Sequence, residues 1–407
     1  MLTVEEALEQ ILSRVEPLSV ERVDVLAALG RVLAEPIVSR AVIPPWPNSS
    51  MDGYAVRAGD TGRVPVELAV VGKIIAGTLP SRPLRAGEAM RIFTGAPLPE
   101  GADAVVPQED VAADGERVTI TGRVPPGAFV RPAGEDVRAG DVVVQPGGGI
   151  GAAEVGLLAT LGYSQVRVFR RPRVAILSTG NELADLGTEP GPGQIPNTNT
   201  YSLMAQVIEA GAEPVNLGVV SDQLEAITER LHWGLTAADV LVTSAGVSVG
   251  ELDLVRDALE RCGAALHLWK VSMRPGKPIT FGTRAGRPVF GLPGNPVSAI
   301  VCFYLYARPA LRQMMGFGAR HLPTVPATLA HDLKVARGMT EFVRCRLERR
   351  DGSLLASSTG TQSSGVLSSM SLGQGLIVSP PADVGALCAG STVRVILLDG
   401  AAEEAPF

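Results

Sequence analysis

The feature that most constrains the fold is a regular alternation of strand and helix patterns in residues 173–314. The predicted strands are the apolar runs VAILS (174–178), PVNLGVV (214–220), VLVTS (240–244), LHLWK (266–270), PITF (278–281) and PVFGL (288–292). Helices are predicted from periodicity at about 200–210, 223–237 and 251–262, between the strands, and at about 297–314, after the last strand. Alternation of this kind predicts a three-layer α/β domain over residues 171–320, with helices on both faces of a largely parallel sheet.

The rest of the chain is predicted to be richer in β structure. Thr3 and Glu6 have capping-box spacing, which predicts a helix to about Val15, and a second helix is predicted near residues 23–29. Residues 42–135 contain short β-type runs between glycines and prolines, which predict an inserted, mostly β domain. The flanking residues 1–41 and 136–170 would then form one split α+β domain. Residues 321–407 lose helical periodicity and predict a small C-terminal β domain.

The composition excludes several functional classes. The 407 residues are 46% hydrophobic and carry a formal net charge of −6, which argues against a general nucleic-acid binder. The 4 cysteines include no Cys-x-x-Cys pair, so neither a zinc site nor a disulfide framework is predicted and a cytoplasmic location is expected. No apolar run reaches the ~18 residues of a membrane span, so no membrane association is expected.

Acidic side chains follow three of the predicted strands. Glu182 comes after VAILS, Asp222 after PVNLGVV and Asp253 after VLVTS. The carboxyl ends of parallel strands form the ligand-binding edge of an open sheet. Three hard oxygen ligands at this edge favour Mg²⁺. Taken one at a time, Asp222 and Asp253 could equally cap the helices that follow them.

Cations lie at the same predicted edge. Lys270, Arg274 and Lys277 surround a Pro-Gly turn, RPGKP, and the constrained stretch GLPGNPVS connects the strand PVFGL to a helix. Cations held by a restricted backbone beside a helix N-terminus suit a phosphate or another oxyanion. The simpler interpretation is a solvated charged loop.

Three other stretches carry weaker signals. Gly147, Gly149 and Ala152 match the dinucleotide-binding pattern G-x-G-x-x-A, but no acidic residue occurs between Glu154 and Glu182 to bind a ribose. We therefore interpret them as helix packing. The stretches PNSSMDGYAVR (47–57) and RIFTGAPLPEGADAVVPQED (91–110) in the β domain would each, alone, be attributed to turns.

Together, these stretches resemble one family, the molybdopterin molybdenumtransferases, which includes the bacterial MoeA proteins and the E domain of gephyrin. The matching sequences are NSSMDGYAVR, FTGAPLPEGADAVV, RPAGEDVRAGD, STGNEL, SAGVSVGELD, MRPGKP and GLPGNPVSA. They extend over the whole chain in the family's order. The resemblance implies a central molybdopterin-binding domain and the four-domain division given above.

The resemblance also implies an activity and a site. The implied reaction is insertion of molybdate into adenylylated molybdopterin with Mg²⁺-dependent release of AMP. The implied assembly is a homodimer with a composite site, and contacts with other cofactor-biosynthesis proteins would be in keeping with it. Catalytic positions fall on Asp52, Thr94, Asp253, Lys270 and Lys277; substrate or oxyanion positions on Asp136, Arg274, Pro293, Pro296, Ser298, Arg344 and Ser364; and metal positions on Glu182, Asp222 and Asp253. Arg274 departs from the lysine frequent in the family, which changes how an oxyanion would be held.

Two alternatives remain open from the sequence. A chain of this kind could bind molybdopterin or act as a scaffold without catalysis, although the complete set of carboxylates and the RPGKP loop favour an enzyme. It could also be a different phosphoanhydride-processing enzyme built on the same α/β domain. The PNSSMDGYAVR and FTGAPLPEG sequences argue against that second alternative.

Overall fold

A computed structural model describes residues 1–245, 254–350, 352–381 and 385–398. The chain forms two compact units. The first comprises Met1–Ala34, Pro146–Val155 and the described part of Gln165–Phe407, and the second comprises Glu35–Gln145 and Gly156–Ser164. None of the helices in the described ranges is both long enough and apolar enough to cross a bilayer.

The N-terminal part of the chain contains two helices and twelve short strands. The helices are α1 (Val4–Leu12) and α2 (Ala152–Thr160). The strands are β1 (Val20–Asp24), β2 (Ile37–Val38), β3 (Asn48–Ser49), β4 (Gly53–Val56), β5 (Val66–Ile74), β6 (Glu88–Ile92), β7 (Ala104–Pro107), β8 (Val111–Ala113), β9 (Arg117–Ile120), β10 (Val130–Arg131), β11 (Val142–Val144) and β12 (Gln165–Phe169).

The predicted α/β region follows in the first unit. Its strands are β13 (Arg173–Thr179), β14 (Leu183–Ala184), β15 (Ile195–Pro196), β16 (Glu213–Val220), β17 (Val240–Ser244), β18 (Ala265–Lys270), β19 (Met273–Arg274), β20 (Pro278–Arg284) and β21 (Arg287–Leu292). Its helices are α3 (Thr198–Ala210), α4 (Leu224–Ala237), α5 (Leu254–Arg261), α6 (Pro296–Cys302) and α7 (Arg308–Met314), with a π-helical turn at Phe303–Ala307.

The remaining residues add one short helix and further strands. These are β22 (Thr324–Leu329), β23 (Leu333–Lys334), β24 (Thr340–Arg350), β25 (Ser353–Ser358), α8 (Ser368–Ser371), β26 (Gly375–Ser379), β27 (Ala386–Leu387) and β28 (Thr392–Leu397).

The central sheet of the first unit confirms the predicted α/β architecture. Its strand order is β16-β13-β17-β21-β20-β18. The first four strands are parallel, whereas β20 is antiparallel to both β21 and β18. The last two predicted strands, PITF and PVFGL, therefore form a hairpin, and its turn uses left-handed backbone at Ala285 and Gly286. Because β18 and β21 still run in the same direction as β17, their carboxyl ends share one edge.

Helices cover both faces of this sheet. Successive side chains along a strand point to opposite faces and so pack in different apolar clusters. Val174 and Ile176 of β13 belong to a buried cluster that includes Leu203 of α3. Ala175 and Leu177, pointing the other way, belong to a second cluster with Leu231 of α4. Fully burying one such side chain contributes about 1.5–3 kcal/mol, so these two clusters fix the orientation of the strand-end loops.

The C-terminal part of the first unit is a small β barrel. The order β24-β25-β22-β28-β26 closes through a further pairing between β24 and β26. Val343 and Cys345 of β24 are buried inside the barrel, whereas Phe342 packs in the cluster of the α/β sheet. The barrel and the α/β domain therefore share a core.

The second unit confirms the predicted β character of residues 42–135. Its main sheet has the order β7-β4-β6-β5-β9-β8. Separate apolar clusters cover its two faces, with Tyr54 and Val56 in one and Ala55 and Met90 in the other.

One helix prediction near the N-terminus was wrong. The capping box at Thr3 and Glu6 is formed as predicted, and α1 follows it. Residues 20–24, however, are a strand paired with β12 in the first unit, and only Val25–Ala28 forms a 3₁₀ turn. Long-range pairing overrode a short helical pattern that spans barely two turns.

Candidate functional site

The loops after β13 and β16 meet at the carboxyl edge of the sheet. The Asn181 amide lies 3.4 Å from Asp222 Oδ2, and the Asp222 amide donates to Asn181 Oδ1 at 3.2 Å. Asp222 does not cap α4, whose N-cap residue is Gln223 and whose first turn receives no side-chain hydrogen bond. The capping interpretation of Asp222 was therefore wrong, and its exposed carboxylate belongs to this loop pair.

Glu182 occupies the same loop and depends on a glycine. Gly180 has a φ of +148°, and a Cβ atom added there would lie 2.5 Å from Glu182 Oε2. The carboxylate therefore lies over a position where only glycine leaves enough space. Since Asn181 and Asp222 hold the loops together, Glu182 and Asp222 are neighbours at one edge.

Asn199, in the first turn of α3, connects two loops of this edge. Its Nδ2 donates to Ser244 Oγ at 2.6 Å and to the Gly294 carbonyl at 2.7 Å. Ser244 ends β17, and Gly294 lies in the GLPGNPVS stretch. Sequence reasoning missed Asn199, because an asparagine at the start of a predicted helix is ordinarily assigned to capping, the role that Asn197 has here.

The GLPGNPVS stretch is tied to the C-terminal barrel. Pro296 begins α6, and the Val297 amide donates to the carbonyl of Ser364 at 3.2 Å. Pro293 is buried, Pro296 is half-buried and Ser298 is buried. The Val297 amide already has a partner and proline has no N–H, so among the described residues the amides of Gly294, Asn295 and Ser298 are left to bind an oxyanion.

The three cations lie on β18 and on the loop that follows it. Lys270 is in register with Pro278, and the Lys277 carbonyl accepts from the Val271 amide at 3.1 Å. Gly276 has a φ of +98°, and a Cβ there would lie 2.4 Å from Cys302 Sγ. Close packing thus fixes the turn between the two exposed side chains, Arg274 and Lys277.

Arg274 also connects this loop to the barrel. Its short strand runs parallel to the start of β24, and Arg274 Nε lies 3.5 Å from Glu341 Oε1. Glu341 is almost fully buried, whereas the arginine side chain is 58% exposed. The ion pair therefore leaves much of the Arg274 guanidinium accessible to a ligand.

Arg344 lies beneath the loop at residues 359–364. It is 1% exposed, and its guanidinium donates to the carbonyl of Ser363 at 3.0 Å and to Ser369 Oγ at 3.0 Å. Burial lowers the pKa of the Arg344 guanidinium, and the Glu341 carboxylate works against that shift. In this structure Arg344 supports the loop that carries Ser364, and through Ser364 it supports the first turn of α6.

These loops surround one cleft of about 670 Å³ in the first unit. Its walls include Glu182, Asn199, Ser244, Pro278, Pro293 and Gly365. Glu182 comes from the acidic loop pair, and Pro278 directly follows Lys277. The predicted carboxylate loop, the cation loop, the proline-rich turn and the barrel loop therefore all border the same cavity. Of the predicted site residues that the structure describes, Glu182, Pro293 and Pro296 line it, whereas Asp222 and the three cations do not.

Three predicted residues lie in the second unit. Asp52 Oδ1 accepts hydrogen bonds from both the amide and the hydroxyl of Thr94, each at 2.8 Å. The Thr94 backbone hydrogen bond, followed by its hydroxyl, lowers the pKa of Asp52. Asp136 is exposed, and its amide donates to the Ile43 carbonyl. Asp52 and Thr94 thus form one constellation, and among the described residues Asp136 makes no hydrogen bond to either of them.

The acidic loop pair can be tested as a metal site. Within the described ranges, no group of three or more His, Cys, Asp or Glu side chains is arranged to hold a metal ion. Asp253, the third predicted ligand, lies outside the described residues. Two exposed carboxylates on loops joined by hydrogen bonds suit Mg²⁺, which is bound by one or two carboxylates together with water and substrate phosphates. The residues present therefore fit this ion.

Three protein families that are already described match successive regions and together cover nearly the whole chain. Residues 2–162 match the description "MoeA N-terminal region (domain I and II)", residues 175–313 "Probable molybdopterin binding domain" and residues 326–398 "MoeA C-terminal region (domain IV)". A molybdopterin molybdenumtransferase of a Nostoc species is 40% identical, over 88% of this chain and 85% of that protein. One from Haemophilus influenzae is 35% identical, over 97% and 98%. A crystal structure of the MoeA protein of Pyrococcus horikoshii, 34% identical, superposes with a TM-score of 0.83 over 98% of this chain and all of that one.

Proposed function

The chain belongs to the molybdopterin molybdenumtransferases, enzymes of molybdenum cofactor biosynthesis, and on that basis we propose that it inserts molybdate into adenylylated molybdopterin with release of AMP. One observation supports the proposal: the acidic loop, through Glu182, and the cationic RPGKP loop, through Pro278, border the same cleft in the first unit. A substrate with a pyrophosphate and an incoming oxyanion needs both kinds of group. The proposal includes the four-domain division and a cytoplasmic location.

The proposed chemistry has two balanced parts. A water oxygen bonds to one phosphorus of the pyrophosphate while the bond to the other phosphate breaks, and AMP leaves. The two dithiolene sulfurs bond to molybdenum, and one molybdate oxygen leaves as water with the two thiol protons. Neither part needs an oxidant or a reductant.

The chain's own residues have separate tasks in this proposal. Lys270, Arg274 and Lys277 bind phosphate and molybdate and offset the negative charge that develops as AMP leaves. The free amides of the GLPGNPVS turn contribute to the same oxyanion site, and its prolines reduce the entropy lost on binding. Glu182 and Asp222, with Asp253, would hold Mg²⁺, which supplies positive charge at the phosphates when bound.

The site is proposed to be completed by a second copy of the chain. Asp52 and Thr94 belong to a different unit from the cleft residues, and a twofold dimer can present one chain's patch to the other chain's sheet edge. Because Thr94 keeps the Asp52 carboxylate ionised, Asp52 would act as a hydrogen-bond acceptor rather than as an acid. Resemblance to the family supports this arrangement.

Measuring AMP release from adenylylated molybdopterin tests the proposal. With Mg²⁺ present, we expect release that depends on added molybdate, together with formation of the cofactor. A protein that only binds molybdopterin would retain the substrate without releasing AMP. A general phosphoanhydride hydrolase would release AMP equally well without molybdate, and either result would refute the proposal.

A further inference from the structure

Arg91, which the functional assignment above does not use, lies beside the Asp52 constellation in the second unit. It is on β6, and the antiparallel register places it directly opposite Tyr54 of β4. Directly opposed residues project from the same face of a sheet. The Arg91 guanidinium accordingly lies 5.1 Å from the Tyr54 ring centroid and 5.0 Å from that of Phe93.

The guanidinium also donates two hydrogen bonds. Its Nη1 donates to the Gly53 carbonyl at 3.1 Å, and its Nη2 donates to the side-chain oxygen of Gln108. Among the residues that the structure describes, no carboxylate forms an ion pair with Arg91. Its fork therefore serves a carbonyl, an amide and two rings, and its positive charge also contributes to the lowered pKa of Asp52.

Every one of these contacts ends on a segment that fixes Asp52. Gly53 follows Asp52 directly, and a Cβ at Gly53 would lie 2.0 Å from the Val106 carbonyl oxygen, so only glycine allows this close approach of the two strands. The Gln108 amide donates to the Asp52 carbonyl at 3.0 Å. Phe93 precedes Thr94, whose two donors occupy Asp52 Oδ1.

We infer that Arg91 is a positioning residue for the Asp52 carboxylate, an inference that rests on the role proposed for Asp52. With Oδ1 occupied by Thr94, Oδ2 is the oxygen left to meet the substrate side, and it has no hydrogen-bond donor among the described residues. Arg91 connects the segment that follows Asp52 to Gln108 and to Phe93, the neighbour of Thr94, and so sets the direction of Oδ2. A lysine could not replace it fully, because only a planar fork can serve two acceptors while stacking on rings.

Steady-state AMP release by the full-length chain tests the inference with Arg91→Gln, Arg91→Lys and the control Arg117→Gln. Arg117 lies in the same sheet, where it forms an exposed ion pair with Glu67. We expect Arg91→Gln to lower kcat about tenfold, equivalent to ~1.4 kcal/mol, while KM changes less than twofold. Arg91→Lys should recover part of the loss, and Arg117→Gln should match the wild type.

A second background separates positioning from general damage. In an Asp52→Asn chain, Arg91→Gln should cause no further loss, since the residue acts through Asp52; losses that multiply would overturn the inference. If Arg91→Gln does not fold, Gln108→Ala provides a substitute, because it removes one of the same contacts. We expect Gln108→Ala to lower kcat as well. Full kcat in a folded Arg91→Gln chain would also refute it.

A spectroscopic readout distinguishes this inference from the proposed function. The Thr94 amide proton, bonded to Asp52 Oδ1, should shift in the NMR spectrum of Arg91→Gln and stay unchanged in Arg117→Gln. If the wild-type chain released no AMP, the proposed function would fail, while an unmoved Thr94 signal would refute the positioning role on its own.

Discussion

Glu182 can lie over residue 180 only because that residue has no side chain. The φ of +148° at Gly180 already disfavours any other residue, and the carboxylate occupies the space that a Cβ would need. A single glycine thus decides where a predicted metal ligand points. Gly187 provides a matched comparison. It also has a positive φ (+86°), but a Cβ atom added there would meet no other atom within 4 Å.

This contrast gives a matched prediction. Gly180→Ala should lower AMP release at least tenfold, because the new methyl group displaces the Glu182 carboxylate by steric conflict. Gly187→Ala should cost only the backbone strain of positive φ, about 1 kcal/mol of unfolding free energy, and leave the turnover intact. Parallel activity and urea-denaturation measurements on the two variants check this. Equal loss of activity in both would show that the conflict at Glu182 is irrelevant.

A second prediction for a single residue concerns Lys277. Lys277→Ala should raise the molybdate concentration for half-maximal cofactor formation about tenfold, a loss of ~1.4 kcal/mol in oxyanion binding. Lys334→Ala, which removes another exposed lysine of the first unit, should leave that concentration unchanged. If the two variants behave alike, the RPGKP loop is a solvated charged loop after all.

Sequence reasoning found residues with chemically distinctive side chains in distinctive loops, and it missed residues that act by holding others. Glu182, Asp222 and the RPGKP cations were predicted as site residues because charge after a predicted strand can be read directly from the sequence. Asn199 and Arg91 were missed because their roles depend on partners 95 and 38 residues away. A contact of that kind has no local sequence signature.

At the scale of elements, strands and helices with strong periodicity were predicted closely, and the errors have physical causes. VLVTS coincides with β17, and the predicted helix at 223–237 is α4 within one residue. The predicted helix at 297–314 contains a π-helical turn before Pro309, since proline cannot donate a hydrogen bond and its ring conflicts with the carbonyl of Leu305. The antiparallel hairpin was missed because strand direction leaves no trace in hydrophobic pattern.

An ion pair where two strands of the sheet begin gives a prediction for the stability of this element. Arg170 donates to both oxygens of Asp239 at 2.7 and 2.8 Å, and the Arg173 amide also donates to Asp239. Burial raises the pKa of Asp239, but the hydrogen bonds from Arg170 and Arg173 outweigh it, so the pKa lies below its usual value of 3.8. Asp239→Asn should therefore lower the free energy of unfolding by about 1–2 kcal/mol at neutral pH, allowing for partial exposure.

The pH dependence of the stability loss in Asp239→Asn follows from the direction of the Asp239 pKa shift. A carboxyl group whose pKa is lower in the folded state stabilises the fold above its unfolded pKa, and the effect disappears as pH falls through the folded pKa. The difference between wild type and Asp239→Asn should be complete at pH 7 and shrink below pH 3.8. Glu260→Gln, at an exposed helical ion pair with Arg256, is the control and should cost under ~0.5 kcal/mol. A constant difference down to pH 2 would contradict the linkage.

At the scale of the whole molecule, the predicted site residues are divided between the two units of the chain. The described cleft lies in the first unit, whereas Asp52 and Thr94 lie in the second, which is inserted in sequence between parts of the first. Sequence motifs predicted both sets of residues as site residues without indicating which chain supplies each. The composite site is therefore the part of the proposal that depends on assembly, and complementation between chains can test it.

Coexpression of Asp52→Ala and Glu182→Ala chains carrying different affinity tags gives that test. Each homodimer should be nearly inactive, since every site has one lesion. In a mixed dimer with composite sites, one site combines both lesions and the other combines the intact Glu182 of one chain with the intact Asp52 of its partner. About half of the wild-type AMP release per dimer should then return. Mixed dimers purified through both tags and verified by native mass spectrometry, yet inactive, would place the whole site within one chain.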